Sequence, residues 1–132
     1  MNFTGKVLLV DDEPHIRKFI AQILKKFGSP KIVEAGNGRE AVVAFQKDRP
    51  DLVLLDVNMP FMGGLEALKE IKTLDPTAVV VMLTSVSNRQ TVEQSLTLGA
   101  DGYIRKDTPK EEIATALEGI ITESFTRDPE PK

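Results

Sequence analysis

An α/β fold built on a parallel sheet is predicted for this chain, and three features of its sequence predict it. Short runs rich in Val and Leu recur five times along the chain. Stretches with helical apolar spacing separate these runs. The first, third and fourth runs are apolar almost throughout, as strands are when helices cover both faces of a sheet. Such alternation implies a parallel sheet between two helical layers, joined by right-handed crossovers. At 132 residues the chain makes one domain, since domains average about 150 residues.

The elements follow in order. Lys6–Val10 is the first strand. Pro14 can open the first helix, whose stripe is Ile16, Phe19, Ile20, Ile23, Leu24 and Phe27, and Gly28 can stop it. Lys31–Ala35 is a more polar run and so an edge strand. Asn37, with Glu40 three residues on, caps a second helix carrying Ala41, Val42 and Phe45. Asp51–Leu55 is the third strand, and Leu65, Leu68 and Ile71 mark the third helix. Ala78–Leu83 is the fourth strand. Ser87 with Gln90 caps the fourth helix, with a weak stripe of Val92, Leu96 and Ala100 and a stop at Gly99. Gly102–Ile104 is a second edge strand. Thr108, Pro109 and Glu111 form a capping box before the stripe Ile113, Leu117, Ile120 and Ile121. Arg127–Lys132 is polar and rich in proline, as tails and linkers are.

Composition excludes several classes of function. Seventeen basic and 20 acidic residues leave a net charge of −3, so no general field draws the chain to nucleic acid or to an anionic membrane. With Cys 0 there are no disulfides, thiolate metal sites or cysteine nucleophiles, which fits a reducing compartment. The longest apolar run, Ala78–Leu83, is far short of the ~20 residues a membrane span needs. No targeting segment is visible, and a soluble, cytoplasmic protein is expected. Aromatics make up 5% and Trp is 0, so the core must be aliphatic.

In open parallel sheets, ligands bind outside the carboxyl ends of the strands. The first strand is followed by Asp11 and Asp12, the third by Asp56 and then Val57-Asn58-Met59-Pro60. Thr84 and Ser85 follow the fourth, and Arg105 and Lys106 the fifth. Only the second strand, ending at Ala35-Gly36-Asn37, offers nothing ionic. Gathered carboxylates repel one another, and one pKa rises. A hard divalent cation removes that conflict, and Mg²⁺ prefers a few carboxylates with waters and phosphate oxygens.

Asp11-Asp12, Asp56, Thr84 and Lys106 at successive strand ends closely resemble the receiver domain of two-component response regulators. Asp56-Val57-Asn58-Met59-Pro60-Phe61-Met62-Gly63-Gly64-Leu65-Glu66 resembles that family's phosphorylation loop, and Gly99-Ala100-Asp101-Gly102-Tyr103 its approach to the last strand. The resemblance runs from about Lys6 to Phe125 and is closest to the single-domain, chemotaxis-type receivers. It implies a flavodoxin-like three-layer sandwich, strand order 2-1-3-4-5, with a receiver domain over residues 1–126 and a flexible tail or linker start at 127–132. It implies that Asp56 accepts a phosphoryl group from a sensor histidine kinase or a phosphotransfer protein, the receiver catalysing its own modification and its later hydrolysis. Asp12 and Asp56 would bind Mg²⁺ directly, Asn58 through its backbone carbonyl and Asp11 through a water. Thr84 and Lys106 would contact the phosphoryl oxygens. Thr84 and Tyr103 would carry the switch, reshaping the face of the fourth helix, fifth strand and fifth helix for a downstream partner. Asn58 and Val86 would border the path of the hydrolytic water. The molecule would be a monomer or a phosphorylation-dependent dimer, without direct contact to nucleic acid or membrane.

One departure stands out: Asp107 follows Lys106 where receivers usually have proline, and its carboxylate lies beside the site or pairs with Lys106. Taken singly, each residue has a plainer reading. Asp11 and Asp12 suit a helix N-terminus, Asp56 a turn, Thr84 a strand-end cap, Lys106 solvent and Tyr103 sheet-edge bulk. His15 is expected at the surface, and Met59 and Met62 against the loop. Other functions remain in view. A Mg²⁺-dependent phosphatase with an aspartate nucleophile needs an acid two residues after it, where Asn58 stands with no proton to give. A flavin domain needs Ser, Thr and Gly after the first strand, where Asp11-Asp12-Glu13 stands. A receiver cut from a longer DNA-binding regulator is compatible with the tail.

Overall fold

The structure, a computed structural model, describes residues 2–125; the expected tail and the end of the expected domain at residue 126 lie outside the described residues. The strands are β1 (Lys6–Val10), β2 (Lys31–Ala35), β3 (Leu52–Leu55), β4 (Val79–Thr84) and β5 (Gly102–Arg105). All pair in parallel in the order β2-β1-β3-β4-β5, as expected. The helices are α1 (Pro14–Leu24), α2 (Gly38–Asp48), α3 (Gly64–Leu74), α4 (Arg89–Thr97) and α5 (Lys110–Phe125).

The continuous apolar strands divide their side chains between two layers, because successive residues point to opposite faces. Val7, Leu9, Leu52, Leu54, Val81 and Leu83 face one layer, with Ile20, Ile23 and Leu24 of α1 and Ile113, Leu117 and Ile121 of α5. Leu8, Val10, Val53, Leu55, Val80 and Met82 face the other, with Ala41 and Phe45 of α2 and Ala67, Leu68 and Ile71 of α3. Each such aliphatic side chain, wholly buried, stabilises the fold by about 1.5–3 kcal/mol. The sheet is therefore held rigidly from both sides, and its carboxyl edge is a fixed platform.

Local signals predict most element ends and miss some. Asn37 caps α2 as expected: its Oδ1 accepts the Glu40 N–H at 2.9 Å, while Glu40 Oε1 accepts the Gly36 N–H at 2.8 Å. The cap of α4 is Asn88 rather than Ser87, with Asn88 Oδ1 accepting the Thr91 N–H at 2.9 Å. A short amide side chain caps as well as a hydroxyl, and it stands one residue nearer the helix. The first α-helix stops at Leu24, and a 3₁₀ turn over Lys25–Phe27 carries the chain to Gly28, whose φ of +147° ends the helical stretch.

The fourth helix departs most from expectation. Its buried residue is Ser95, whose hydroxyl donates to the Val92 carbonyl. Leu96, expected on the inner stripe, is 53% exposed, and Ala100 lies beyond the helix end. Leu98 and Ala100 pack on the core instead, just after the helix. No residue of α4 belongs to either buried cluster, so this helix packs beside α3 without an apolar anchor in the core.

Candidate functional site

Three backbone hydrogen bonds set the site's frame. The Asp11 N–H donates to the Ala35 carbonyl at 3.1 Å and the Asp56 N–H to the Val10 carbonyl at 3.1 Å. The Lys106 N–H donates to the Thr84 carbonyl at 3.0 Å. The sheet ladder thus extends one residue past the named strands and aims Asp11, Asp56 and Lys106 off the same edge. Since β1 lies beside both β2 and β3, the chain reverses direction across the sheet at β1, which is where α/β sheets open a crevice.

The structure brings the predicted acids together. Carboxylate oxygens of Asp11, Asp12 and Asp56 lie within 4.8 Å of one another, with Asp11 and Asp56 buried and Asp12 exposed. Lys106 reaches into this group. Its Nζ is 2.6 Å from Asp11 Oδ2 and 2.9 Å from Asp56 Oδ2, with Glu13 Oε1 at 3.7 Å. The Val57 N–H donates to Asp56 Oδ1 at 2.7 Å, and the Glu13 N–H to Asp11 Oδ1 at 2.9 Å. Burial pushes the Asp11 carboxyl above its usual range, and the neighbouring Asp56 charge adds to this against the pull of Lys106. Burial alone would lower the Lys106 pKa, but its hydrogen bonds to Asp11 and Asp56 prevail and hold it above the ordinary lysine value.

The other predicted residues make contacts of their own. Thr84, the last residue of β4, is wholly buried, and its Oγ1 accepts the Val86 N–H at 3.2 Å. Tyr103 is half-buried against the second core layer and donates its hydroxyl to the Val86 carbonyl. Burial, aided by the Asp56 charge, raises the Tyr103 pKa. Asn58 is exposed on the loop after Asp56, and among the described residues no hydrogen bond joins its side chain to the acids. Asp107 turns away from the centre to pair with Arg105 at 2.6 Å, so its carboxylate does not compete for Lys106. His15 is exposed, as expected, and Met62 is buried beneath the loop.

One residue escaped sequence reasoning, and a second, Val86, has a contact beyond the role the resemblance implied for it. Arg17, on α1, donates through its guanidinium to the Asp11 carbonyl and, at 2.6 Å, to Glu34 Oε1 on β2. It ties α1, β1 and β2 together at the site, yet its position in the chain only marks it as one polar residue of an amphipathic helix. Val86 links Thr84 to Tyr103 through the two ends of its own residue, a role that needs no particular side chain and so leaves no mark in composition.

The donor set suits a divalent cation. Three carboxylates opposed by one ammonium leave two negative charges, and carboxylate oxygen is the hard donor that Mg²⁺ prefers. A parallel sheet in the order β2-β1-β3-β4-β5 with helices on both faces defines the flavodoxin-like class of α/β folds. The family model of the response regulator receiver domain matches residues 7–118, and the chain belongs to this family of two-component signalling proteins. It is similar to chemotaxis protein CheY of Halobacterium salinarum, 38% identical over 118 residues that span 89% of this chain and 97% of that one. It is similar also to the nitrate/nitrite response regulator NarL of Escherichia coli, 33% identical over 91% of this chain but 59% of NarL. Among solved structures it resembles the Borrelia burgdorferi CheX-CheY-BeF3-Mg²⁺ complex, with a TM-score of 0.83 and 30% identity over 88% of each chain. Membership in this family sets aside the phosphatase and flavin readings of the fold. Among the described residues no helix is long and apolar enough to cross a membrane.

Proposed function

We propose that Asp56 is the phosphoacceptor of this receiver and that its modification drives a change at the α4–β5–α5 face. The observation that carries this reading is the position of the Asp56 carboxylate: buried, beside Asp11 and Asp12, and 2.9 Å from the Lys106 ammonium. A carboxylate oxygen of Asp56 attacks the phosphorus of a phosphohistidine on a sensor kinase or phosphotransfer protein. The phosphorus–nitrogen bond breaks, and the imidazole leaves with a proton from solvent. An aspartyl phosphate results. Water later attacks the same phosphorus, releasing phosphate and restoring the carboxylate.

Each residue has a defined task. Lys106 sets its charge against the phosphoryl oxygens, where positioning and neutralisation do most of the catalytic work. Asp12 and Asp56 would hold Mg²⁺ directly, Asp11 through a water and Asn58 through its backbone carbonyl. The cation, when bound, adds positive charge beside the transferring group. The Thr84 hydroxyl, turned toward a phosphoryl oxygen, releases the Val86 N–H. Because Tyr103 grips the carbonyl of the same residue, that release is felt at Tyr103 and at α4, which begins at Arg89. A helix without a buried apolar anchor moves at low cost, which suits it to present two faces to a downstream partner.

Incubation with acetyl phosphate and Mg²⁺, followed by intact-mass measurement, tests the assignment. One phosphoryl group is expected on the wild-type chain and none on Asp56→Asn. Equal labelling of both would overturn it.

A further inference from the structure

The phosphorylation-loop segment presents one side chain that the fold does not use. Phe61 is 88% exposed, more than any other large apolar residue among those described. Its φ is +68°, in the left-handed region that glycine and asparagine enter easily and bulky residues enter at a cost. Neither feature helps the domain fold: the exposed ring gains no burial, and the left-handed backbone suits glycine or asparagine better than phenylalanine.

The loop nevertheless holds Phe61 outward. On its chain-forward side, Met62 is buried and gives its N–H to the Pro60 carbonyl at 2.8 Å, while its own carbonyl accepts the Gly38 N–H at 2.9 Å. The Gly64 N–H closes the loop on the Val57 carbonyl at 2.8 Å. Pro60 fixes the torsion just before the ring. On a backbone so fixed, an aromatic has only two side-chain torsions to lose on binding, and aromatic residues are enriched as interface anchors.

Its place names the occupant. Phe61 lies five positions after Asp56, and Gly64, three positions further on, packs against the Asp56 carbonyl, so the Phe61 Cα lies within about 11 Å of the Gly64 Cα beside that carbonyl. A protein interface of ordinary size covers about 800 Å² on each partner, a patch of about 16 Å radius. A phosphohistidine protein centred on Asp56 therefore meets Phe61. We propose, resting on the assignment of Asp56 as phosphoacceptor, that Phe61 anchors the phosphodonor protein by entering an apolar pocket beside its phosphohistidine.

The test compares two donors on one chain. The host's histidine kinases, autophosphorylated with ATP, supply the protein donor, and acetyl phosphate the small one. Phe61→Asn removes the ring while suiting the left-handed backbone, so its unfolding midpoint should not fall below wild type. Phe61→Asn and Phe61→Ala are expected to lower kcat/KM from the phosphorylated kinase at least tenfold, chiefly through KM, and to leave labelling by acetyl phosphate within twofold. Phe61→Leu should recover much of the loss. Unchanged transfer from the kinase overturns the proposal. So does an equal loss with both donors, which would mean that the ring shapes the site itself. So does a chain that acetyl phosphate labels but no phosphorylated kinase does. Failure of acetyl phosphate to label wild-type Asp56 would instead strike at the phosphoacceptor assignment.

Discussion

The Gly64 backbone comes so close to the Asp56 carbonyl that a Cβ built there would overlap its oxygen, and the Asp56 carbonyl carbon would lie 2.8 Å away. Nothing flexible can yield, since the obstruction is backbone. Gly64→Ala is therefore expected to push Asp56 out of register with Asp11 and Lys106, destabilising the fold by about 1–3 kcal/mol. Urea denaturation should show the loss, and acetyl phosphate labelling of the folded variant should slow markedly. Tyr103 yields a second expectation at the same scale. Burial holds its phenol above the ordinary value of 10.0, so the folded chain keeps this proton after the unfolded chain has lost it. The resulting stability is complete below the unfolded pKa and is lost as pH rises through the folded one. Lys106, raised above 10.5, acts in the same direction. Tyr103→Phe should accordingly flatten, without abolishing, the fall of the urea midpoint as the pH is raised past 10.0.

Neighbouring helices differ sharply in how they are held. The α3 helix buries Ala67, Leu68 and Ile71, whereas α4 buries only Ser95 and leaves Leu96 half-exposed. Leu68→Ala is expected to cost about 2–5 kcal/mol, and Leu96→Ala less than about 0.5 kcal/mol. Amide hydrogen exchange should likewise be faster throughout α4 than in α3, because little apolar burial is lost when α4 opens. Equal protection of the two helices would count against α4 as the yielding part of the face. The weak stripe of Val92, Leu96 and Ala100 had suggested an ordinary amphipathic helix. Three apolar residues at helical spacing cannot reveal that the helix ends at Thr97 and that its inward position belongs to a serine.

At the level of the whole molecule, two aliphatic layers clamp one sheet, and three carboxylates at its edge gather within 4.8 Å of one another with Lys106 as the ammonium among them. A ligand that binds the folded chain alone adds stability in proportion to RT ln(1 + [L]/Kd). Mg²⁺ at ten times its dissociation constant is expected to raise the unfolding free energy by about 1.4 kcal/mol. Asp12→Asn or Asp56→Asn should shrink this gain, which thermal unfolding with and without Mg²⁺ would measure. Had Mg²⁺ no effect on the wild-type midpoint, the three carboxylates would not form a cation site.

Patterning along the chain determined the strands, the division of their side chains between two layers and the placement of an acid or a lysine just past β1, β3 and β5. These are local facts, since a strand's facing alternates residue by residue and its end is marked where apolar residues give way to charged ones. Tertiary structure decided which of those charges meet. Lys106 lies fifty positions from Asp56, and only the order β1-β3-β4-β5 brings its ammonium onto two buried carboxylates while Asp107 turns to Arg105. Arg17 braces Asp11 and Val86 couples Thr84 to Tyr103 through main-chain atoms, which every residue carries alike. Such contacts depend on how close the backbone passes, and closeness in space is set by packing across the sheet rather than by neighbours in the chain.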